Sequence, residues 1–190
     1  MAAAAEGVTG TTSSRAGTWN IDPSHSEVDF TVTHLMISKV RGRFSDISGS
    51  VVTDGTPEGS KVTVEIGTAS INTHESSRDT HLRSADFFDV EKYPKISFVS
   101  TAVKSKSDEE FRITGNLTIK GVTKSVDIDV KSEGSGRDPW GNDRAGFSGS
   151  LKIDRRDFGL TWNQALETGG VMVSNEVKLT VDVELTHAAQ

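Results

Sequence analysis

The sequence predicts an all-β protein, an antiparallel β-barrel or sandwich of about eight strands with one helical insertion. Most of the chain alternates apolar and polar residues with a period of two, which is typical of strands that are buried on one face. Short turns join these segments, whereas a parallel sheet needs a helix between most of its strands. One long segment, residues 71–98, lacks the alternation and contains helix-capping signals.

The first half of the chain is predicted to contain four strands, at residues 18–21, 27–36, 44–53 and 61–71. In the second strand, His34 shares a face with the apolar side chains of Phe30 and Val32. Residues 38–43 are polar and are predicted to form a turn. Residues 54–57, with the sequence DGTP, have strong turn chemistry and are predicted to close the third strand.

The central segment is predicted to form two short helices. Asn72 or Thr73 can cap the first helix, and Ser84 can cap the second, because their side-chain oxygens can accept hydrogen bonds from free backbone N–H groups. The segment also carries the adjacent apolar residues Phe87 and Phe88. We therefore expect a helical connection that lies across the mouth of the β-structure.

The second half of the chain is predicted to contain five strands, at residues 95–103, 111–120, 126–131, 145–153 and 177–186. The first two are joined by a charged turn and are expected to form a hairpin. Residues 132–142 are rich in glycine and serine and are predicted to be a loop. Residues 155–168 are predicted to be irregular or partly helical.

Composition limits the classes of protein that fit this chain. A length of 190 residues suits one domain, predicted at residues 17–190 behind a flexible tail at residues 1–16. The net charge of −6 disfavours a nucleic-acid-binding protein, and the chain has no cysteine for a disulfide or a thiolate site. It has no apolar run long enough for a membrane span and no secretory signal, so we expect a soluble, cytoplasmic protein.

An eight-stranded antiparallel barrel has an interior that its own side chains can fill or that can hold one small ligand. The sequence leaves both interpretations open. The predicted lumen-lining residues, which would contact an apolar ligand, are Phe30, Val32, Phe44, Ile66, Leu82, Phe87, Phe88, Phe98, Leu117, Ile119, Phe147, Phe158 and Trp162.

A charged cluster on the helical segment has two interpretations. The candidate residues for binding a polar head group are His34, Arg78, His81 and Arg83. Arginine can grip phosphate oxygens through two parallel hydrogen bonds, which favours an anionic head group. Alternatively, Arg78 or Arg83 pairs with Asp79 or Asp86 and holds the helix on the barrel.

Metal binding and triad catalysis are not expected. His25 and His34 are nine residues apart, which puts them about 30 Å apart on opposite faces if they share one strand. His74 and His81 would lie about 10 Å apart on one helix. No Gly-x-Ser-x-Gly nucleophile motif is present. We expect His25 to organise a turn and the protein to need no metal or other cofactor.

A series of motifs in fixed order resembles the YceI-like family from Trp19 to the C-terminal strand. These motifs are WxIDPxHS at 19–26, VxFxVxHL at 28–35, GxF at 42–44, RDxHLRxxDFFD at 78–89, YPxIxF at 93–98, GxLTIxGVT at 115–123 and RDFG at 156–159. The resemblance implies a lipocalin-like extended antiparallel β-barrel with a helical cover. Many members of the family carry a signal peptide and are periplasmic, and this chain shows none.

The resemblance further implies binding, carriage or sequestration of a polyisoprenoid or similar amphiphilic lipid, often by a homodimer. The head group would be a pyrophosphate, as in a polyprenyl pyrophosphate, or a quinone. Two alternatives remain. One is an enzyme that acts on an isoprenoid with His34 or His81 as acid or base, and the other is a packed barrel that serves only as a protein-interaction module.

Overall fold

The computed structural model describes residues 15–167 and 169–187, which form one antiparallel sheet. Its strands are β1 (Gly17–Ile21), β2 (Glu27–His34), β3 (Ser38–Phe44), β4 (Ile47–Thr53), β5 (Lys61–Gly67), β6 (Ile71–Asn72), β7 (Lys95–Ser105), β8 (Glu110–Ile119), β9 (Val122–Arg137), β10 (Asp143–Asp154) and β11 (Val173–His187). The α-helix is α1 (Ser76–Arg83), and short 3-10 helices span Pro23–His25, Thr68–Ser70 and Arg155–Phe158. The predicted tail at residues 1–16 lies outside the described residues apart from Arg15 and Ala16.

Eight strands close the sheet into a barrel, which confirms the predicted fold class. The order is β1, β4, β5, β7, β8, β9, β10 and β11, and the ring closes because β1 pairs with both β4 and β11. The edge of β11 that pairs with β1 also pairs, further along the strand, with β2. Strand β2 then pairs with β3, and β3 pairs with β6. The long C-terminal strand therefore supports two neighbours on one edge.

The two ends of the barrel differ in their connections. At the helical end lie α1, the turn between β8 and β9, and residues 155–167 and 169–172. At the hairpin end lie the turns at residues 54–60, 106–109 and 138–142. Each end has its own buried apolar cluster, one that includes Phe44, Phe98 and Phe158 and one that includes Trp19 and Leu185. No helix in the described ranges is long and apolar enough to cross a membrane.

The prediction of a polar turn at residues 38–43 is wrong, because these residues form β3. Lys39, Arg41 and Arg43 are exposed, while Val40 and Gly42 point inward. A side chain at Gly42 would clash, since a Cβ there would lie 2.4 Å from Cζ of Phe30. The apolar alternation of this strand is therefore interrupted where the ring of Phe30 occupies the space.

The predicted loop at residues 132–142 is also mostly strand. Strand β9 continues to Arg137 and pairs with β10, with Gly134 opposite Gly146. A register shift follows between Gly146 and Phe147. Glycine and serine were typical of a loop here, but backbone pairing to β10 holds the segment extended. Only residues 138–142 form the connecting turn.

The central segment contains one α-helix where two were predicted. Glu75 caps α1, because its carboxylate accepts hydrogen bonds from the N–H groups of Ser77 and Arg78. Ser84 ends the helix, with its N–H donating to the carbonyl of His81, and residues 85–92 continue in turns. The predicted cap Thr73 instead donates its N–H and hydroxyl to Asp79.

Candidate functional site: the barrel cavity

The barrel encloses a cavity of about 820 Å³. This volume lies in the usual range of about 300–1,000 Å³ for small-molecule sites. Valine, isoleucine, leucine and phenylalanine side chains form most of the lining, and residues from both ends of the barrel contribute. The cavity therefore extends along the barrel and presents a mainly apolar wall.

The burial of the inward side chains shows that they do not fill the barrel. Val177, Leu179, Val181 and Val183 face the cavity from β11, yet each is only partly buried. In a packed interior these four side chains would lose nearly all of their solvent-accessible surface. The structure therefore does not support the interpretation of a barrel packed by its own side chains.

Of the thirteen predicted apolar site residues, twelve line the cavity, and Phe158 does not. The side chain of Phe158 is only 2% exposed and belongs to the buried cluster at the helical end. It lies on the 3-10 helix Arg155–Phe158, which directs it into that cluster. Because Phe158 lies on an irregular segment, the sequence favoured a position in the cavity wall, but the side chain packs into the core instead.

Three of the four predicted head-group residues, His34, Arg78 and His81, line the cavity. Arg83 does not. Its guanidinium donates to the carbonyl oxygens of Ala69 at 3.0 Å and Ile71 at 2.7 Å, and so ties α1 to the preceding segment. Within the described ranges, neither arginine of α1 forms the predicted ion pair with Asp79 or Asp86.

A compact hydrogen-bond network positions Arg78. Its Nε donates to the hydroxyl of Thr73 at 2.7 Å, and one terminal nitrogen donates to the carbonyl of Thr73 at 2.9 Å. Thr73 is in turn held by the buried carboxylate of Asp79, which accepts from its hydroxyl at 2.6 Å and its N–H at 2.9 Å. Arg78 is thus fixed beside the cavity by neutral oxygens.

His81 lies in an aromatic setting at the same end. Its ring meets the ring of Phe87 edge-on at a centroid distance of 5.1 Å and that of Trp162 at 4.8 Å. Its Nε2 lies 2.9 Å from a carboxylate oxygen of Asp86. The aromatic contacts orient the imidazole, and the carboxylate gives it a hydrogen-bond partner.

Sequence reasoning missed Arg155, which is almost fully buried and also lines the cavity. Its guanidinium donates to the carbonyls of Leu160 at 2.5 Å, Trp162 at 2.8 Å and Ser174 at 2.9 Å. Burial lowers the pKa of this group below its ordinary value. A basic residue at the start of an irregular segment was the available signal, since such a segment leaves carbonyls unpaired.

The hairpin end carries a different polar cluster, centred on Arg144. This guanidinium donates to Asp22 at 2.5 Å, Glu184 at 2.6 Å and Asp138 at 3.1 Å. The hydrogen bond from His25 has the largest effect on the pKa of Asp22 and the hydrogen bond from Arg144 the next, and together they lower it to about 2. The same carboxylates raise the pKa of Arg144.

His25 sits in this cluster on a 3-10 turn, with Nδ1 3.1 Å from Asp22, so it organises a turn as predicted. Oxygen and nitrogen atoms of Asp22, His25 and Glu184 lie close enough together for a metal ion. The guanidinium of Arg144 already lies against both carboxylates and would repel such a cation.

Comparison with known proteins identifies the family. The YceI-like domain model matches residues 19–185. A UPF0312 protein of Azotobacter vinelandii is 44% identical over 161 residues, which cover 84% of this chain and 81% of the relative. The crystal structure of a Campylobacter jejuni YceI protein matches with a TM-score of 0.71 at 34% identity and covers 83% of this chain and 90% of that one.

A polyisoprenoid-binding domain from Saccharophagus degradans shares the fold, with a TM-score of 0.68 at 15% identity. That match covers 92% of this chain and the whole of the other. The family match spans both ends of the barrel and the helical segment between β6 and β7. This chain belongs to the YceI-like family.

Proposed function

We propose that the barrel binds a long-chain isoprenoid or a similar amphiphilic lipid, with the chain in the cavity and the polar head group at the helical end. The observation that carries this proposal is the cavity of about 820 Å³, whose wall is mainly aliphatic and aromatic. Such a wall offers little to a polar ligand but gains free energy from each apolar group that it removes from water.

The energetics favour selection by size. Burial of one CH₂ group contributes about 0.8 kcal/mol, so a five-carbon isoprene unit contributes roughly 3–4 kcal/mol before ordering costs. A chain of many units would exceed the practical ceiling of about 18–21 kcal/mol if nothing opposed it. Cavity depth, rather than affinity per unit, therefore selects the chain length.

The arginines support a head-group site at the helical end. Arg78 and Arg155 line the cavity there, and neither has a carboxylate within ion-pair distance among the described residues. No carboxylate therefore competes by direct contact for these guanidinium groups, which favours an anionic or carbonyl head group at this end. His34 and His81 line the same cavity and supply further hydrogen-bonding groups.

The polyisoprenoid-binding domain of S. degradans, which shares the fold, is consistent with this ligand class. The proposed role is binding and carriage or sequestration, without covalent chemistry. A homodimer, a cytoplasmic location and transport between membranes are further parts of the proposal, and each needs its own measurement.

The direct test is mass spectrometry of an organic extract of the detergent-free protein, together with a native spectrum of the intact complex. We expect a stoichiometric prenyl or quinone species, either co-purified or taken up after incubation with a polyprenyl phosphate and a ubiquinone. A protein that takes up neither probe would contradict the proposal.

A matched pair of variants tests whether the cavity is the site. Val181 faces the cavity and the next residue, Asp182, is exposed on the same strand. Val181→Trp should fill part of the cavity and reduce ligand occupancy, whereas Asp182→Trp should leave occupancy unchanged. Equal occupancy in the two variants would place the ligand elsewhere.

The alternative of an enzyme with His81 as acid or base is favoured by one observation. His81 lines the cavity and has a carboxylate partner, Asp86, which can hold the tautomer of the ring. Turnover of a bound isoprenoid that is lost in His81→Gln would support it. Recovery of the probe lipid unchanged after long incubation would contradict it.

A further inference from the structure

The loop between β2 and β3 presents an unusual concentration of exposed apolar side chains. Leu35 is 37% exposed, Met36 is 64% exposed and Ile37 is 85% exposed. In the described part of the chain only two other large apolar residues, Val52 and Trp140, are exposed to this degree. We call Leu35–Ile37 the β2–β3 tip. An exposed apolar cluster of this kind marks a contact surface rather than part of the core.

The backbone of the tip is unfavourable for the residues that occupy it. Leu35 has a φ of 51° and Met36 a φ of 64°, and the N–H of Ile37 donates to the carbonyl of His34. Turns with two central residues at positive φ strongly prefer asparagine, aspartate and glycine. Two large apolar residues therefore hold a conformation that costs stability, and the hairpin itself does not need them.

The charges behind the tip are positive and unpaired. Lys39 and Arg41 are exposed on β3, and neither forms an ion pair with any described residue. Further from the tip, Arg43 is paired with Glu27 at 3.0 Å and Asp29 at 3.5 Å. The adjoining residues 163–172 contribute one acidic residue, Glu167. The region around the tip is thus basic in a chain whose net charge is −6.

The tip lies beside the cavity at the helical end. His34 and Val40, on either side of the tip, both line the cavity. The N–H of Leu35 donates to the carbonyl of Met172 at 2.8 Å, and Met172 lines the cavity as well. The exposed side chains of the tip therefore lie next to residues that line the lumen.

We propose that the β2–β3 tip inserts into the surface of an anionic phospholipid bilayer and sets the helical end of the barrel against the membrane. Apolar side chains at the tip enter the interfacial region, while Lys39 and Arg41 meet the anionic head groups. This inference goes beyond lipid binding in the lumen, since contact with a bilayer can be measured whether or not the lumen holds a lipid.

The test is flotation of the full chain with vesicles of equal parts phosphatidylcholine and phosphatidylglycerol. The wild-type protein should float, and Met36→Asp with Ile37→Asp should weaken partitioning at least about tenfold, because two apolar side chains lose their burial. Lys39→Gln and Arg41→Gln should each weaken it about fivefold. Raising the salt concentration should also weaken partitioning onto the vesicles, because salt screens the attraction between the basic residues and the anionic lipids.

Trp140 provides the matched control. It is 79% exposed, but it lies in the turn at residues 138–142, at the opposite end of the barrel. Trp140→Asp should float as the wild type does. A loss of flotation in Trp140→Asp, or unchanged flotation in the tip variant, would overturn the proposed orientation. A tip variant that changes only the oligomeric state would identify the tip as a contact between copies and would also overturn the proposal.

A second variant separates function from folding. Replacing Leu35 by Asn and Met36 by Gly supplies the residues that the turn prefers, so the thermal midpoint should rise while flotation falls. A fall in both would indicate a structural role for the tip and contradict the proposal. The cavity variant Val181→Trp should still float, which distinguishes failure of lumen binding from failure of bilayer contact.

Discussion

The cavity-lining arginines have different hydrogen-bond partners at the two ends of the barrel. Four arginines of the described chain line the cavity: Arg15, Arg78, Arg144 and Arg155. At the hairpin end, Arg15 pairs with Asp143, and Arg144 contacts three carboxylates. At the helical end, the guanidinium groups of Arg78 and Arg155 donate to hydroxyl and carbonyl oxygens, and neither contacts a carboxylate among the described residues.

This difference indicates which end can receive a charged group. A guanidinium that is neutralised by carboxylates offers little attraction to an incoming anion, whereas one held by neutral oxygens keeps its field. The hairpin end is therefore built as a closed ionic cluster. At the helical end, no carboxylate among the described residues contacts either guanidinium directly, and this arrangement beside an apolar cavity suits an amphiphile with an anionic head group.

The largest expected effect comes from removing Arg155. Arg155→Met leaves the carbonyls of Leu160, Trp162 and Ser174 without their donor, and each buried unsatisfied group costs about 1–3 kcal/mol. We expect the free energy of unfolding to fall by roughly 3–5 kcal/mol in urea denaturation. The matched control is Arg156→Met, because Arg156 forms an exposed pair with Asp154 and its loss should destabilise the protein far less.

Similar losses in Arg155→Met and Arg156→Met would show that the carbonyls of Leu160, Trp162 and Ser174 do not depend on this guanidinium. In that case Arg155 would be available mainly to a ligand.

The next largest effect concerns which end of the barrel binds a phosphate head group. Arg78→Gln should weaken binding of a polyprenyl phosphate at least about tenfold relative to the neutral polyprenol, since a charge-assisted hydrogen bond contributes about 1.5–3 kcal/mol. Arg15→Gln, at the hairpin end, should leave this ratio unchanged. Competition binding monitored by native mass spectrometry measures both ratios. The reverse result would place the head group at the hairpin end.

A smaller effect is expected for the network behind Arg78. Asp79→Ala removes the acceptor for the N–H and hydroxyl of Thr73, and we expect a loss of about 1–3 kcal/mol in the free energy of unfolding. The control Thr80→Ala changes an exposed neighbour on α1 and should lie within about 0.5 kcal/mol of the wild type. The selectivity for phosphate over alcohol should also fall in Asp79→Ala, because Arg78 loses its fixed position.

The sequence predicted the barrel well because its strands are buried on one face. In β11, Val177 to Leu185 alternate with polar residues, and that pattern fixes both the strand and its inward face. His34 was placed toward the lumen by the same period of two, and it lines the cavity. Periodicity of this kind depends only on which side of the sheet meets water.

Features that depend on tertiary contacts were not predictable. Strand β3 was missed because its inward Gly42 makes room for Phe30, a contact that no local pattern reports. Thr73 had the residue type of a helix cap, but Asp79 takes its hydroxyl and Glu75 caps α1. The role of Arg155 depends on carbonyls up to 19 residues away.

The smallest and most specific prediction concerns acid at the hairpin end. Hydrogen bonds from His25 and Arg144 lower the pKa of Asp22 from 3.8 to about 2. The folded protein therefore binds this proton less readily than the unfolded chain does. The stabilisation is present above about pH 4 and is lost as the pH falls through about 2.

Asp22→Asn should thus be less stable than the wild type at neutral pH, and the difference in urea midpoint should shrink as the pH approaches 2. A difference that stays constant across this range would mean that the carboxylate of Asp22 is not held by the ionic cluster, and the contrast between the two ends would then rest on Asp138 and Glu184.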